Sequence, residues 1–379
     1  MNTVLKLAAA TSVALTASAL FPALASAATT FPAHSSTRVD VVFAQSDSAA
    51  GNEVIAYDRT AQGTLTQVGS YATGGVGGVL SGSVVDHVAS EDSVAYDASA
   101  HLLYAVNAGS NSITVFAVDG DKLTRLQVIG SGGQFPVSIA AHGGGVYVLN
   151  ARGGGSVSGF LRVGTRLVEI PAWQRSLGLD PNQTPEFTST PAQIAFTPDG
   201  SHLVVTTKNG GNSILVYKVG VLGPSAKSSV TSTPGDVPFG FSFDASGHLV
   251  ATEAGPSAVA TFALGADGRL NQLDSTLTGQ VATCWVVVVG NVAYASNAGS
   301  GTVSAYRIDA DGHLTALGTT ATDAGTVDAA ASPDGKYLYV ETGATGVIDT
   351  YSISPSGALT KTGSAAIPDG IGAEGIVAL

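Results

Sequence analysis

The sequence has little cysteine and little charge, and each scarcity excludes a class of protein. Cys284 is the single cysteine among 379 residues, so no intrachain disulfide can form. Charged residues make up 12% of the chain and hydrophobic residues 44%, a composition too apolar for a disordered protein. Lys and Arg number 16 against 28 Asp and Glu. This acidic balance argues against nucleic acid or an anionic membrane as a partner.

Long apolar runs are also scarce, and the one that occurs lies at the start of the chain. Lys6 precedes an Ala-, Leu- and Val-rich run over residues 7–24, and Ala25-Ser26-Ala27 then supplies a small-residue cleavage pattern. The alternative is an uncleaved membrane anchor, but Thr, Ser and Pro22 dilute the run. No later stretch approaches the ~20 apolar residues that a membrane span needs.

We therefore interpret residues 1–27 as a signal peptide, 28–37 as a lead, and 38–379 as one folded domain. We expect a secreted protein, periplasmic or extracellular.

Glycine, by contrast, is abundant, with 48 copies. It marks the loops of a repeated unit: a strand, a short Gly-rich loop, and a second strand that ends in an aromatic residue. LYAVNAGSNSITVF (103–116) thus returns as AYASNAGSGTVSAY (293–306). The closing aromatics of the seven copies are Tyr57, Phe116, Phe160, Tyr217, Phe262, Tyr306 and Tyr351. Their spacings of 59, 44, 57, 45, 44 and 45 residues predict an all-β, seven-bladed β-propeller with four-stranded antiparallel blades.

The first blade is incomplete in the sequence. Residues 38–72 supply only its second, third and fourth strands, and GIVAL (375–379) supplies an extra inner strand at the other end of the chain. We expect this C-terminal strand to join the N-terminal blade and close the ring.

The predicted topology sorts candidate residues between the two faces of the ring. Of the histidines in the domain, His87 alone, in the insertion 73–92, can approach the top face, where propellers usually bind ligands. His87 is therefore the histidine candidate for a general base.

The top-face loops also carry the charged candidates, on blades three, four and five and on the insertion 170–190. Arg152, Arg175 and Lys208 are candidates to bind a carboxylate or polarise a carbonyl, and Glu253 or Glu186 to activate water. The alternative is an ordinary solvated rim whose ion pairs contribute little.

Four further residues complete the substrate-binding candidates. Trp173 offers a stacking surface for a sugar-like ring, or packing against the rim. Gln193 lies at the channel-facing start of an inner strand, and Asn107 and Asn297 lie in the top loops after second strands.

We expect no cofactor and no metal. The alternative is a Ca²⁺ ion on the axis, held by Asp92, Asp328, Glu374 and neighbouring Asn residues, whose oxygen atoms suit calcium. Cys284 is interpreted as a packed, apolar side chain.

The quoted repeats, with VYVLNARGGGSVSGF (146–160), TPDGSHLVVT (197–206) and SPDGKYLYV (332–340), resemble the seven-bladed lactonase family. That family includes propeller-type 6-phosphogluconolactonases and carboxymuconate cyclases. The repeats are also similar to the YVTN-repeat propellers of cell-surface proteins. The resemblance spans residues 38–379 and implies the propeller fold and action on a lactone. Lactonase-family enzymes tend to carry a Pro-His pair entering inner strands, where this chain reads FPVS (135–138), TPAQ (190–193) and VPFG (237–240).

Two hypotheses follow. The first is an exported lactonase that hydrolyses a lactone of a sugar or other small carboxylic acid. The second is a non-catalytic propeller that binds a partner at a surface. We expect a monomer, and the insertions 73–92 and 170–190 are open to a protein partner.

Overall fold

Thirty β-strands form seven antiparallel sheets arranged in a ring, as the aromatic spacing predicted. The computed structural model describes residues 40–379, and the predicted signal peptide and lead lie outside the described residues. None of the helices in this part of the chain has the length and apolarity required to cross a bilayer.

Blade 1 contains β1 (Val41–Gln45), β2 (Glu53–Arg59) and β3 (Leu65–Ala72). Blade 2 contains β4 (Val94–Asp97), β5 (Leu102–Asn107), β6 (Ser112–Asp119) and β7 (Lys122–Gly130). Blade 3 contains β8 (Pro136–His142), β9 (Gly145–Asn150), β10 (Ser156–Val163), β11 (Arg166–Glu169) and the short β12 (Arg175–Ser176). Blade 4 contains β13 (Ile194–Phe196), β14 (His202–Thr206), β15 (Ser213–Gly220), β16 (Gly223–Pro224) and β17 (Ser229–Ser232).

The remaining blades each have four strands. Blade 5 contains β18 (Pro238–Phe243), β19 (Leu249–Glu253), β20 (Ala258–Leu264) and β21 (Leu270–Leu277). Blade 6 contains β22 (Thr283–Val289), β23 (Val292–Asn297), β24 (Thr302–Ile308) and β25 (Leu314–Ala321). Blade 7 contains β26 (Thr326–Ala331), β27 (Tyr337–Thr342), β28 (Val347–Ile353) and β29 (Leu359–Ala366). Two 3₁₀ turns (Ala108–Ser110 and Pro171–Trp173) and two four-residue helices, α1 (Glu186–Ser189) and α2 (Lys208–Gly211), lie between strands.

The last strand, β30 (Ile376–Ala378), confirms the predicted closure. It pairs antiparallel with β1, and the sheet order is β3-β2-β1-β30. Ile376 is buried and packs in a cluster shared by blades 1 and 7. The ring therefore closes through hydrogen bonds and packing between the two ends of the domain.

Burial within each blade follows the distance from the axis. The second strands are buried along most or all of their length, as in β5 and β23, because they pack between neighbouring sheets. The outermost strands alternate between exposed and half-buried residues, as in β7. The closing aromatics of third strands reach the preceding blade: the Tyr57 hydroxyl donates to the Ala366 carbonyl at 2.7 Å, and Tyr351 donates to Ala321 at 2.9 Å. The core thus lies between adjacent blades.

Candidate active site on the upper face

The insertion 73–92 fills the centre of the upper face with one tight turn, Asp86–Ser90. Its backbone and side chains reach several blades. The Ser90 hydroxyl donates to the Val137 carbonyl in blade 3 at 2.8 Å, and the Trp285 indole of blade 6 donates to the Ser90 carbonyl at 2.6 Å. The Glu91 amide donates to Ala192, next to blade 4, at 3.4 Å. Contacts with so many blades place this turn on the ring axis.

The turn is held together by the carboxylate of Asp86. Its two oxygens accept the backbone N–H groups of Val88, Ala89 and Ser90 at 2.9, 2.7 and 2.8 Å. Burial raises the pKa of Asp86 to about 7, while these amide hydrogen bonds oppose the shift. Asp86 was not among the candidates from the sequence. The signal for it was an Asp followed within four residues by the small residues Ala89 and Ser90, a pattern typical of a side-chain-capped turn.

Lys208 anchors the same turn from blade 4. It is buried, its Nζ donates to the Ala89 carbonyl at 2.6 Å, and it lies 5.2 Å from the centre of the Phe239 ring. Burial lowers the pKa of Lys208 to about 7, against the opposing field of Asp86. The ammonium group therefore faces the turn Asp86–Ser90, which we call the axial turn.

Below the turn lies a group of buried carboxyl side chains that we call the axial acids. They are Asp47, Glu91, Asp92, Asp328, Glu341 and Glu374. Burial is the largest cause that raises the pKa of each, to about 8 for Asp47 and about 6 for Asp92. Neither carboxyl oxygen of Glu341 has a hydrogen-bond partner within residues 40–379. The absence of a side chain at Gly240 leaves room for the Glu91 carboxylate, because a Cβ added to Gly240 would lie 1.7 Å from a Glu91 carboxylate oxygen.

The axial Ca²⁺ alternative was argued from Asp92, Asp328 and Glu374. Across the described range 40–379, no three His, Cys, Asp or Glu side chains converge in a way that could hold a metal ion. Asp92 instead accepts a hydrogen bond from the side-chain Nε2 of Gln193 at 2.6 Å. The side-chain Oε1 of Gln193 accepts one from the backbone N–H of Phe241 at 2.5 Å. Gln193 therefore links the channel wall to blade 5.

Arg152 and Glu186 form an ion pair beside this centre, in a pocket of about 310 Å³. Arg152 follows strand β9, and Glu186 begins α1 in the insertion 170–190. The Arg152 Nε donates to Glu186 Oε1 at 2.7 Å, and Nη2 donates to Oε2 at 3.2 Å. The guanidinium also stacks on Phe135, with its carbon 4.3 Å from the ring centre. Both partners are thereby held in fixed orientations.

The charges of this pair are set by the geometry. The hydrogen bond from Arg152 is the largest cause that lowers the pKa of Glu186, and the Ser81 amide, which donates to Oε2 at 2.7 Å, adds to it. Glu186 is therefore ionised at neutral pH. Arg152 Nη1 has no acceptor among residues 40–379, and Gln134, Asp180 and Gln183 line the same pocket. The pocket thus combines an ionised base, an available cationic donor and polar walls.

The structure places three other sequence candidates away from this pair. Glu253 is buried at the end of β19 and accepts a hydrogen bond from the Ser275 hydroxyl at 2.8 Å. Arg175 donates to the backbone carbonyls of Ala172, Gln174, Pro224 and Ser225. Trp173 stacks on Tyr147, with ring centres 5.7 Å apart, and packs against the core of blades 3 and 4.

Asn107 and Asn297 are buried parts of the blade repeat. The Asn107 amide donates to the Thr114 hydroxyl at 2.9 Å, and the Asn297 amide donates to Ser304 at 3.0 Å. Each amide ties the end of a second strand to the third strand of its own blade.

His87 belongs to the turn Asp86–Ser90 and is half-buried, and its backbone N–H donates to the Gly372 carbonyl at 2.9 Å. Burial lowers the pKa of its ring. Its ring lies against Gly372, whose added Cβ would meet it at 2.3 Å. His87 is therefore packed against the loop that precedes β30.

The three places where related enzymes tend to carry a Pro-His pair are apolar. Val137, Ala192 and Phe239 follow the prolines, and all three are buried. Phe239 packs edge-to-face on Trp285 with ring centres 4.9 Å apart. These entry positions contribute packing around the axial turn.

Comparison with known proteins agrees with this architecture. The family model described as lactonase, seven-bladed β-propeller, matches residues 174–287 and 251–374. No curated protein matches the sequence.

Three solved structures are similar in fold. A candidate 6-phosphogluconolactonase from Bacteroides fragilis is 19% identical with a TM-score of 0.73, covering 91% of this chain and 99% of its own. A candidate 6-phosphogluconolactonase from Bacteroides uniformis is 18% identical with a TM-score of 0.76, covering 90% and 99%. The periplasmic gluconolactonase PpgL from Pseudomonas aeruginosa is 15% identical with a TM-score of 0.73, covering 90% and 99%. At these identities the likeness concerns the fold.

Proposed function

Because this chain belongs to the family of seven-bladed β-propeller lactonases, we propose that it is an exported enzyme that hydrolyses the ring ester of a lactone. The reaction takes place in the pocket of Arg152 and Glu186. The observation that carries the proposal is this ion pair, which presents an ionised carboxylate beside a cationic donor in an open pocket of about 310 Å³. Export rests on the signal-peptide pattern of residues 1–27.

The two residues have complementary roles in ester hydrolysis. Arg152 Nη1 donates to the lactone carbonyl oxygen and stabilises the negative charge that develops on it. Glu186 accepts a proton from the attacking water, whose oxygen forms the new bond to the carbonyl carbon. The ring C–O bond then breaks, and the proton passes to the leaving alkoxide. The product is a hydroxy acid, which releases its carboxyl proton to water at neutral pH.

The substrate class follows from the size and walls of the pocket. Gln134, Asp180 and Gln183 offer hydrogen bonds to ring substituents. The 6-phosphogluconolactonase and gluconolactonase names of the similar folds point in the same direction. The ring is accordingly that of a sugar acid or another small hydroxy acid.

The test is a panel of aldonolactones and simple γ- and δ-lactones, with acid release followed in a pH-stat. Glu186→Gln keeps the acceptor for the Ser81 amide but removes the base, and we expect a rate loss of about 10²- to 10⁴-fold. Glu169→Gln, an exposed change on β11, is the matched control and should leave the rate unchanged. Glu253→Gln tests the other candidate base from the sequence. Equal rates for wild type and Glu186→Gln would overturn the proposed site.

Export is tested on the same protein. The N-terminus of material recovered outside the cytoplasm should be Ala28. Recovery of an intact Met1 in that fraction would contradict cleavage after Ala27.

A second function, non-catalytic binding, is favoured by a specific observation. The residues after the entry prolines are Val137, Ala192 and Phe239, where related enzymes tend to carry histidine. If no lactone in the panel is hydrolysed faster than in buffer, the corresponding hydroxy acids are titrated in a thermal-shift assay. A rise in melting temperature indicates a protein that binds these acids, and no rise indicates a different ligand.

A further inference from the structure

A second pocket opens on the upper face, on the other side of α1, and it is lined almost wholly by apolar atoms. It encloses about 220 Å³ between the insertion 73–92 and blades 5 and 6. It is lined by Val84 and Val85 of the insertion, Phe239 and Trp285 of blades 5 and 6, and Phe187 of α1. We call it the apolar pocket.

Most polar side chains in the wall of the apolar pocket are already hydrogen-bonded within the protein, including the Ser83 hydroxyl, which donates to the Asp86 carbonyl. The Asp86 carboxylate is occupied by three backbone N–H groups, and the Trp285 indole N–H by the Ser90 carbonyl. Burial raises the pKa of the Cys284 thiol to about 12, so the thiol is neutral. Because the wall offers a polar ligand group few free hydrogen-bond partners, this pocket favours an apolar ligand.

The walls are also held in place without a ligand. Phe239 and Trp285 pack edge-to-face at 4.9 Å, and Lys208 lies over Phe239. A preformed cavity of this kind binds an apolar group without the cost of ordering its walls.

The apolar pocket adjoins the pocket of the ion pair. Glu186 and Phe187 are consecutive residues of α1; the first lines the polar pocket and the second the apolar one. Residues 81 and 82 of the insertion 73–92 contact both residues of α1. The Ser81 amide donates to Glu186, and Gly82 lies against Phe187, where a Cβ would be 3.1 Å from the ring.

We propose that the apolar pocket binds the hydrophobic substituent of the substrate, so that the preferred lactones carry an alkyl or aryl group; this assignment rests on the proposed function. An apolar cavity of about 150 Å³ is large enough to bind benzene. The pocket here therefore accepts a substituted phenyl ring or a medium-length alkyl chain, with the lactone ring beside Arg152.

Binding is tested first, without any reaction. Trp173 and Trp285 are the two tryptophans of the chain, so Trp173→Phe leaves Trp285 as the single indole reporter in the pocket wall. Bromobenzene, a heavy-atom quencher, should quench its fluorescence saturably, and toluene should reverse the quenching by competition. Ala298→Leu fills the pocket and should abolish saturation, whereas Ala324→Leu, on an exposed loop, should not.

The substrate assignment is tested with γ-lactones whose alkyl chain grows from methyl to hexyl. For wild type we expect kcat/KM to rise about threefold to fourfold per methylene until the pocket is filled. In Ala298→Leu the rise should disappear, and Ala324→Leu should show the same rise as wild type.

The outcomes separate this inference from the proposed function. Hydrolysis that is indifferent to chain length, with no saturable quenching, overturns the apolar pocket as a subsite and leaves the lactonase proposal standing. Saturable quenching without hydrolysis of any lactone overturns the lactonase proposal and the substrate assignment with it. If Trp173→Phe does not fold, the same titration on wild type against Ala298→Leu gives the decisive comparison.

Discussion

Glu341 is a buried carboxyl group whose pKa lies well above that of an exposed glutamate. It lies fully buried on β27, and both carboxyl oxygens have no hydrogen-bond partner in the described part of the chain. Burial raises the pKa of Glu341, and the neighbouring carboxyls of Asp328, Asp47 and Asp86 raise it further. The folded protein therefore holds Glu341 in its protonated form.

Glu341→Gln should stabilise the protein at pH 8. The folded state keeps a proton that the unfolded state releases above about pH 4.3, so retaining it costs free energy as the pH rises. Gln is neutral at every pH and removes this cost. We expect the free energy of unfolding to increase by about 1 to 3 kcal/mol at pH 8 and much less at pH 5, measured by urea denaturation. A variant that is less stable than wild type at both pH values would contradict the protonated state.

The sequence led to some of the site residues and missed others for identifiable reasons. Arg152 and Glu186 were found because blade topology places their loops on one face of the ring. Arg175 and Trp173 share the insertion of Glu186, but a 3₁₀ turn and β12 return that segment to the outside of blade 3. Spacing along a chain does not reveal such a fold-back. Asp86 was missed because its role is to accept backbone N–H groups, and the pattern of Asp86 followed by Ala89 and Ser90 indicates a turn without placing it on the ring axis.

Among the elements, the closing strand β30 is short but contacts three other strands. Its three residues face Val42, Phe43 and Ala44 of β1, and it also packs beside β26 and β4 on either side. Its loss leaves β1 with unpaired backbone groups and opens the cluster of blades 1 and 7.

Deletion of residues 375–379 should destabilise the whole ring rather than fray one end. The smaller change Ile376→Ala should cost about 2 to 5 kcal/mol, as for other buried aliphatic side chains. Val168→Ala on the exposed strand β11 is the matched control and should cost little. Calorimetry gives the melting temperature of each protein. A deletion variant that melts with wild type would refute the role of β30.

The repeat made these elements predictable, because a period near 45 residues with a closing aromatic implies four strands per unit. The axial turn 86–90 was not predictable in the same way. It belongs to an insertion outside the period, and its position depends on contacts with blades that are distant in the sequence, through Ser90 and Glu91.

At the scale of the whole molecule, buried acids dominate the response to pH. Burial raises the pKa of Asp47 to about 8, of Asp86 to about 7 and of Asp92 to about 6. Each folded-state pKa lies above the unfolded value near 4, so the stability these groups support is complete below about pH 4 and falls as the pH rises through their folded pKa values. Lys208 opposes this trend, because its lowered pKa favours folding as the pH rises above about 7.

We therefore expect the melting temperature to fall from pH 5 to pH 8, less steeply above pH 7, where Lys208 offsets part of the loss. Calorimetry at constant ionic strength across pH 5, 6, 7 and 8 measures the profile. Glu341→Gln should flatten it, and the exposed change Glu169→Gln should not. A melting temperature that rises between pH 5 and pH 7 would show that the axial acids are ionised in the folded protein.

The junction of β1 and β30 also has a consequence for the order of events during synthesis. The two partners are separated by residues 46–375, so a ribosome has made six complete sheets before the first sheet can gain its innermost member. Until residue 378 has emerged, β1 can pair with β2 on one edge only, and its other edge is open to intermolecular pairing. Closure of the ring therefore follows the synthesis of the other six sheets.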